Sequence, residues 1–147
     1  MRLLATQVEL GGLGIVVSEK ALCVFPRNDY EPDIVYFGSR KAQTITSNTL
    51  KYPVPDFIVE VLSDSTENND RGVKFQDYAA HGVGEYWIVD PDAESVEKYL
   101  AKAGRYGRAR PQKAGEIESE IVSGFHIPVR AIFDTGANFA ALRLLLK

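Results

Sequence analysis

At 147 residues, with 45% hydrophobic and 25% charged side chains, the sequence has the make-up of one folded domain and not of a disordered chain. A single cysteine, Cys23, excludes an internal disulfide, and no run approaches the roughly 18 apolar residues that span a bilayer. The net charge of −3, from 17 Lys and Arg against 20 Asp and Glu, excludes a polycation that binds nucleic acid by bulk charge alone.

In chain order, the opening MRLLATQVELGGLG lacks the apolar run and cleavage site of a signal peptide, so a cytoplasmic protein is expected. Its LLATQVEL is predicted to end a helix, stopped by Gly11, Gly12 and Gly14. IVVSEKALCVF reads as extended chain, Pro26-Arg27-Asn28-Asp29 as a turn, and IVYFG after Pro32-Asp33 as a short strand. A polar stretch from Ser39 to Tyr52 precedes the strand VPDFIVEVLS. Asp64 to Asn69 is turn-like, with Ser65 or Thr66 available to cap a helix that runs to about Ala80 and stops at Gly82. EYWIVD is another strand, SVEKYLA and Arg105 to Gln112 a hairpin pair, IESEIVSGFHIPV one further strand, and ANFAALRLLL a terminal helix. This order predicts a single α/β domain over residues 1–147, a mixed sheet flanked by helices.

The strand VPDFIVEVLS holds an acid where an apolar residue belongs. Alternation puts Asp56, Ile58, Glu60 and Leu62 on one face and Phe57, Val59, Val61 and Ser63 on the other. Both faces are mostly apolar, as in a strand covered on both sides. A carboxylate at Glu60 therefore needs a cation, a metal or strong donors, the plain alternative being a buried salt bridge or an exposed strand end. Asp33 opens the strand IVYF after Pro32, and would otherwise be an ordinary strand-entry residue. Should the two strands pair, Asp33 and Glu60 can converge on one hard cation, for which magnesium is suited. On the predicted helix Asp70, Lys74 and Tyr78 follow at i, i+4 and i+8 and share a face. Lys74 there could stabilise phosphate charge, or simply pair with Asp70 in solvent.

Lys98, Lys102, Arg105, Arg108, Arg110 and Lys113 form a stretch without acids, interleaved with Tyr99 and Tyr106. It is either a solvated hairpin or a surface that tracks a phosphate backbone. His81 and His126 have no metal-ligand spacing, and no HExxH, CxxC, Gly-rich phosphate loop or Ser-centred elbow occurs.

EPDIVYF, PDFIVEVLSDST and DRGVKFQDYAAHGVGEYWIVDPD together resemble the core signature of the Uma-type family of restriction endonucleases, within the PD-(D/E)XK nuclease superfamily. SGFHIPVRAIF resembles that family's closing strand and turn. The resemblance implies a restriction-endonuclease-like fold with a four-stranded mixed sheet, Mg2+ (or Mn2+) as cofactor and DNA as partner. It implies Asp33 and Glu60 as metal ligands, and Lys74 as the catalytic lysine relocated to the helix, since Leu62 stands where the superfamily often has it. Asp56 would be a reserve ligand, and Ser63, Asp70 and Tyr78 would support the site, while Glu85 and Trp87 are expected to pack or orient. Relative to the family the chain is expected to be shortened at its N-terminus, with a partner subunit in a homodimer covering the apolar surface this exposes. The expected activity is metal-dependent hydrolysis of DNA phosphodiesters. The alternative is a non-catalytic scaffold of the same fold that binds nucleic acid or a protein.

Overall fold

Short apolar, β-branched and aromatic runs buried on both faces produce one central sheet in the computed structural model, which describes all 147 residues. Helix α1 (Arg2–Gly11) ends where Gly12 turns into the left-handed region at φ 59°, donating its N–H to Val8 and Glu9 carbonyls. Strand β1 (Gly14–Ser18) follows, then the small hairpin β2 (Cys23–Val24) and β3 (Asp29–Tyr30) around the predicted turn. Strand β4 (Ile34–Gly38) leads into a short helix, α2 (Ser39–Ala42), within the stretch expected to be irregular. Next come β5 (Phe57–Val61), helices α3 (Glu67–Arg71) and α4 (Val73–Ala80), and β6 (Glu85–Asp90). The chain continues through β7 (Ser95–Lys102), β8 (Arg105–Tyr106), β9 (Glu116–Glu118), β10 (His126–Pro128), α5 (Arg130–Phe133) and α6 (Thr135–Leu145).

The main sheet has six strands in the order β1-β4-β5-β6-β7-β8, two more than the four that the resemblance implies. Only the central pair β5–β6 is parallel, joined by the α3–α4 crossover; every other pairing is antiparallel. The segment expected as one late strand is instead a hairpin, because Gly124 turns at φ +72° and lets β10 pair back on β9. The predicted helix before Ala80 is two helices. Gly72 breaks it, its backbone so close to the Asn68 carbonyl that a Cβ would stand 2.6 Å from the oxygen.

Alternation sorts the core into two layers. Phe57, Val59, Trp87 and Val89 pack on one face of the sheet with Leu3, Leu4 and Val8 of α1, with Ala141 of α6 and with Phe125, just ahead of β10. Behind β5 this layer leaves an apolar cavity of about 280 Å3, bordered by Leu4, Phe57, Val59, Trp87 and Phe125. Val35, Phe37, Ile58, Leu62, Tyr86 and Ile88 pack on the opposite face with Tyr78 of α4 and with Cys23 and Phe25. The β2–β3 hairpin is tied to α4 through buried Asp77, which accepts hydrogen bonds from Tyr30 and Asn28. No helix is long and apolar enough to cross a membrane.

Candidate active site

Ile34 of β4 pairs with Val59 of β5, so continuing the antiparallel register by one residue sets Asp33 opposite Glu60. Asp33 shares the face of Val35 and Phe37, and Glu60 that of Ile58 and Leu62; both carboxylates therefore belong to the side covered by α3 and α4. Asp33 Oδ2 accepts the N–H of Val61 at 2.7 Å, which fastens it to the end of β5. Glu60 is 2% exposed, and its Oε1 accepts from the Tyr78 hydroxyl at 2.8 Å and from Lys74 Nζ at 3.4 Å. Lys74 Nζ also donates to Asp70 Oδ1 at 3.0 Å, so one ammonium spans two buried acids. The Tyr86 hydroxyl donates to the Asp70 carbonyl at 3.0 Å and pins the end of α3 to the sheet.

Burial pushes the Glu60 carboxyl up to about 7, and the negative Asp70 and Asp33 add to the rise, while Lys74 and the Tyr78 hydroxyl oppose it. Burial, followed by the Glu60 charge, drives the Tyr78 phenol far above its ordinary value, so it acts here as a hydrogen-bond donor. Burial alone would lower Lys74, but the carboxylates of Glu60 and Asp70 outweigh it and raise its proton affinity. The cluster thus combines a carboxyl that burial disfavours ionising with a cation whose proton is firmly held.

Each of the three acids commits one oxygen to the protein and leaves the other without a protein donor: Asp33 Oδ1, Glu60 Oε2 and Asp70 Oδ2. Asp70 Oδ2 is fully buried and has no partner at all. No three His, Cys, Asp or Glu side chains are grouped so as to hold an ion by themselves. The facing pair Asp33 and Glu60 suits a hard cation of the magnesium type, which takes one or two carboxylates and fills its shell from water and phosphate.

The other residues singled out in the sequence divide. Asp56 lies beyond the opposite end of β5, where it pairs with Lys41 at 2.8 Å and accepts the N–H of Gly38. It is not within the group around Glu60. Ser63 spends its hydroxyl on those of Ser65 and Thr66, in the turn before α3. Lys98 is removed from the exposed basic set: its half-buried ammonium reaches the Glu118 carbonyl at 2.6 Å and Glu120 at 3.2 Å, because alternation aims it at the β9 side. Lys102, Arg105, Arg108, Arg110 and Lys113 are exposed and make no ion pair. Lys102 and Arg105 lie far from Glu60, beyond the β5 end that starts at Phe57; the chain then returns along β7, where Gln112 and Val96 exchange backbone hydrogen bonds. The exposed cations therefore line the sheet edge from its far end back toward the end that carries Glu60.

One acid escaped the sequence reading as a site neighbour. Glu97 pairs in register with Ile88, and Ile88 with Glu60, so it lies in the same cross-strand row. It is bound by Arg71 at 2.7 Å and by the Tyr99 hydroxyl at 2.8 Å, which holds α3 against β7. Its only sequence signal is the shared face with Tyr99 in SVEKYLA. Glu85, on the other face, accepts from the Trp87 indole, the Ser119 hydroxyl and the N–H groups of Glu120 and Ile121.

The fold is similar to that in the crystal structure of a putative nuclease belonging to DUF820 from Anabaena variabilis ATCC 29413, with a TM-score of 0.74 at 18% identity, covering 90% of this chain and 74% of that one. A second similarity, to a cryo-EM structure of a DrdV–DNA complex, has a TM-score of 0.40 at 14% identity and covers 98% of this chain but 10% of that one. No curated protein matches the sequence. The sequence model of the Uma2 family, described as "Putative restriction endonuclease", matches residues 1–130, and the chain belongs to that family.

Proposed function

We propose that this protein hydrolyses DNA phosphodiester bonds with the help of a divalent cation, Mg2+ or Mn2+, held by Asp33 and Glu60. The observation that supports the reading best is the convergence of Asp33 and Glu60 on one face, with Lys74 bonded to Glu60 from the adjoining helix. When bound there, the cation would supply charge to polarise the scissile phosphate and to acidify a water. Hydrolysis would join the water oxygen to phosphorus and break one P–O ester bond, with a water proton ending on the leaving oxygen, to give a phosphate monoester and a free hydroxyl. Asp33 is oriented by its bond to the Val61 amide, and Glu60 by Tyr78, so neither carboxylate has to reorganise on binding. Lys74 remains an ammonium beside them and can donate to a phosphate oxygen. The exposed edge of Lys102, Arg105, Arg108, Arg110 and Lys113 would neutralise backbone phosphates. Cutting both strands of a duplex would call for two copies related by a two-fold axis.

Plasmid DNA incubated with the protein and Mg2+ or Mn2+ should be nicked or linearised. Glu60→Ala and Lys74→Ala should each reduce the rate at least about a hundredfold, the scale for losing a charge-stabilising group. Cleavage that persists in both variants would rule out this site.

A further inference from the structure

Lys74 holds its two partners unequally. It is 3.0 Å from Asp70 Oδ1, four residues earlier in the chain, but 3.4 Å from Glu60 Oε1 on the sheet. It is also the one cation bonded to any of the three acids Asp33, Glu60 and Asp70, since the nearby Arg71 is engaged by Glu67 and Glu97. Asp70 Oδ2, fully buried, has an empty acceptor position. A buried carboxylate oxygen with no donor is uncommon and marks a set of partners that is incomplete in this state.

We propose that Lys74 is a displaceable counter-ion: it neutralises Glu60 while no divalent cation is bound, and on cation binding it releases Glu60 and is kept by Asp70. This deepens the nuclease reading and rests on it. An ammonium has three protons, of which two are used here, on Glu60 and on Asp70. The Lys74 N–H freed from Glu60 would find its acceptor in Asp70 Oδ2. A divalent cation on Asp33 and Glu60 repels an ammonium a few ångströms away, and in a partly buried site that repulsion is only weakly screened. Asp70 accordingly serves as an anchor for Lys74 and not as a metal ligand. Cation binding and the hold of Lys74 on Glu60 are then antagonistic.

The test is a calorimetric Mn2+ titration of the full chain, with folding of each variant checked by circular dichroism. Lys74→Met should bind Mn2+ at least about tenfold more tightly than the wild type, because the resident charge is gone. Asp70→Asn should bind it more weakly, because an unanchored Lys74 settles on Glu60. In the Lys74→Met background the same Asp70→Asn change should cost less than about threefold, since nothing remains to anchor. Unchanged or weaker binding by Lys74→Met overturns the proposal and leaves the nuclease reading standing. An equal Asp70→Asn loss with and without Lys74 also overturns it, and makes Asp70 a direct ligand. If Glu60→Gln binds Mn2+ as the wild type does, or no form binds it, the underlying site assignment itself fails.

Discussion

Replacing Glu60 by Gln removes a charge that the fold buries at a cost, and that cost has a definite pH signature. The Glu60 carboxyl stands at about 7 in the folded protein against an ordinary 4.5. At 1.36 kcal/mol for each tenfold change in proton affinity, the difference amounts to about 3 kcal/mol. The sign follows from which state holds the proton more tightly. Below 4.5 the group is protonated in both states, and its contribution to stability is fully present. As pH rises toward 7 the unfolded chain releases the proton first, so stability falls until the folded carboxyl has also ionised. Lys74 does not interfere, because its raised proton affinity acts only above its ordinary 10.5. Urea unfolding in chelator-treated buffer, followed by the fluorescence of the single buried Trp87, reads the effect directly. Between pH 4 and pH 8 the wild type should lose about 3 kcal/mol relative to Glu60→Gln. If the stability gap between the two proteins is the same at both ends of that range, the burial argument for Glu60 is wrong.

Glu85→Ala should destabilise the protein by at least about 3 kcal/mol, because it strips the acceptor from the amides of Glu120 and Ile121, from Ser119 and from Trp87. A loss below about 1 kcal/mol in urea unfolding would show that the 119–122 turn finds other acceptors. Changing Arg108, Arg110 and Lys113 together to Gln should flatten the dependence of log K on log salt by about 2 to 3, measured by anisotropy on a short duplex. Lys98→Gln should leave that slope unchanged, since Lys98 is already paired with Glu120. Equal slopes for the triple variant and the wild type would place DNA on a different surface.

The sequence shows Glu60 clearly because a charge interrupts an apolar, β-branched run, and burial makes such an interruption costly. The shared face of Asp70, Lys74 and Tyr78 was also legible, although their true partner, Glu60, depends on how α3 and α4 cross the sheet. Gly72 hid the division into two helices, since an isolated glycine inside a helical pattern is usually tolerated. Neither α2 nor α5 was visible: four residues are too few for a periodic signal. Lys98 shows the limit of reading charge runs linearly. Its neighbours in sequence are exposed, but strand alternation turns it inward to the Glu118 carbonyl. Glu97 was missed for a related reason, because its place beside the acids is fixed by register across β5, β6 and β7, a long-range property.

The two-sided character of β5 also gives the fold a form of proofreading. Shifting the strand by a single position would drive the Glu60 carboxylate into the hydrocarbon-lined hollow beside Trp87 and turn Val59 or Val61 toward Lys74. Clasps at both ends oppose that error: Lys41 and the Gly38 amide grip Asp56, and Asp33 grips the Val61 amide. Asp33 therefore carries two duties, so its replacement by Asn or Ala would report on strand alignment as well as on chemistry.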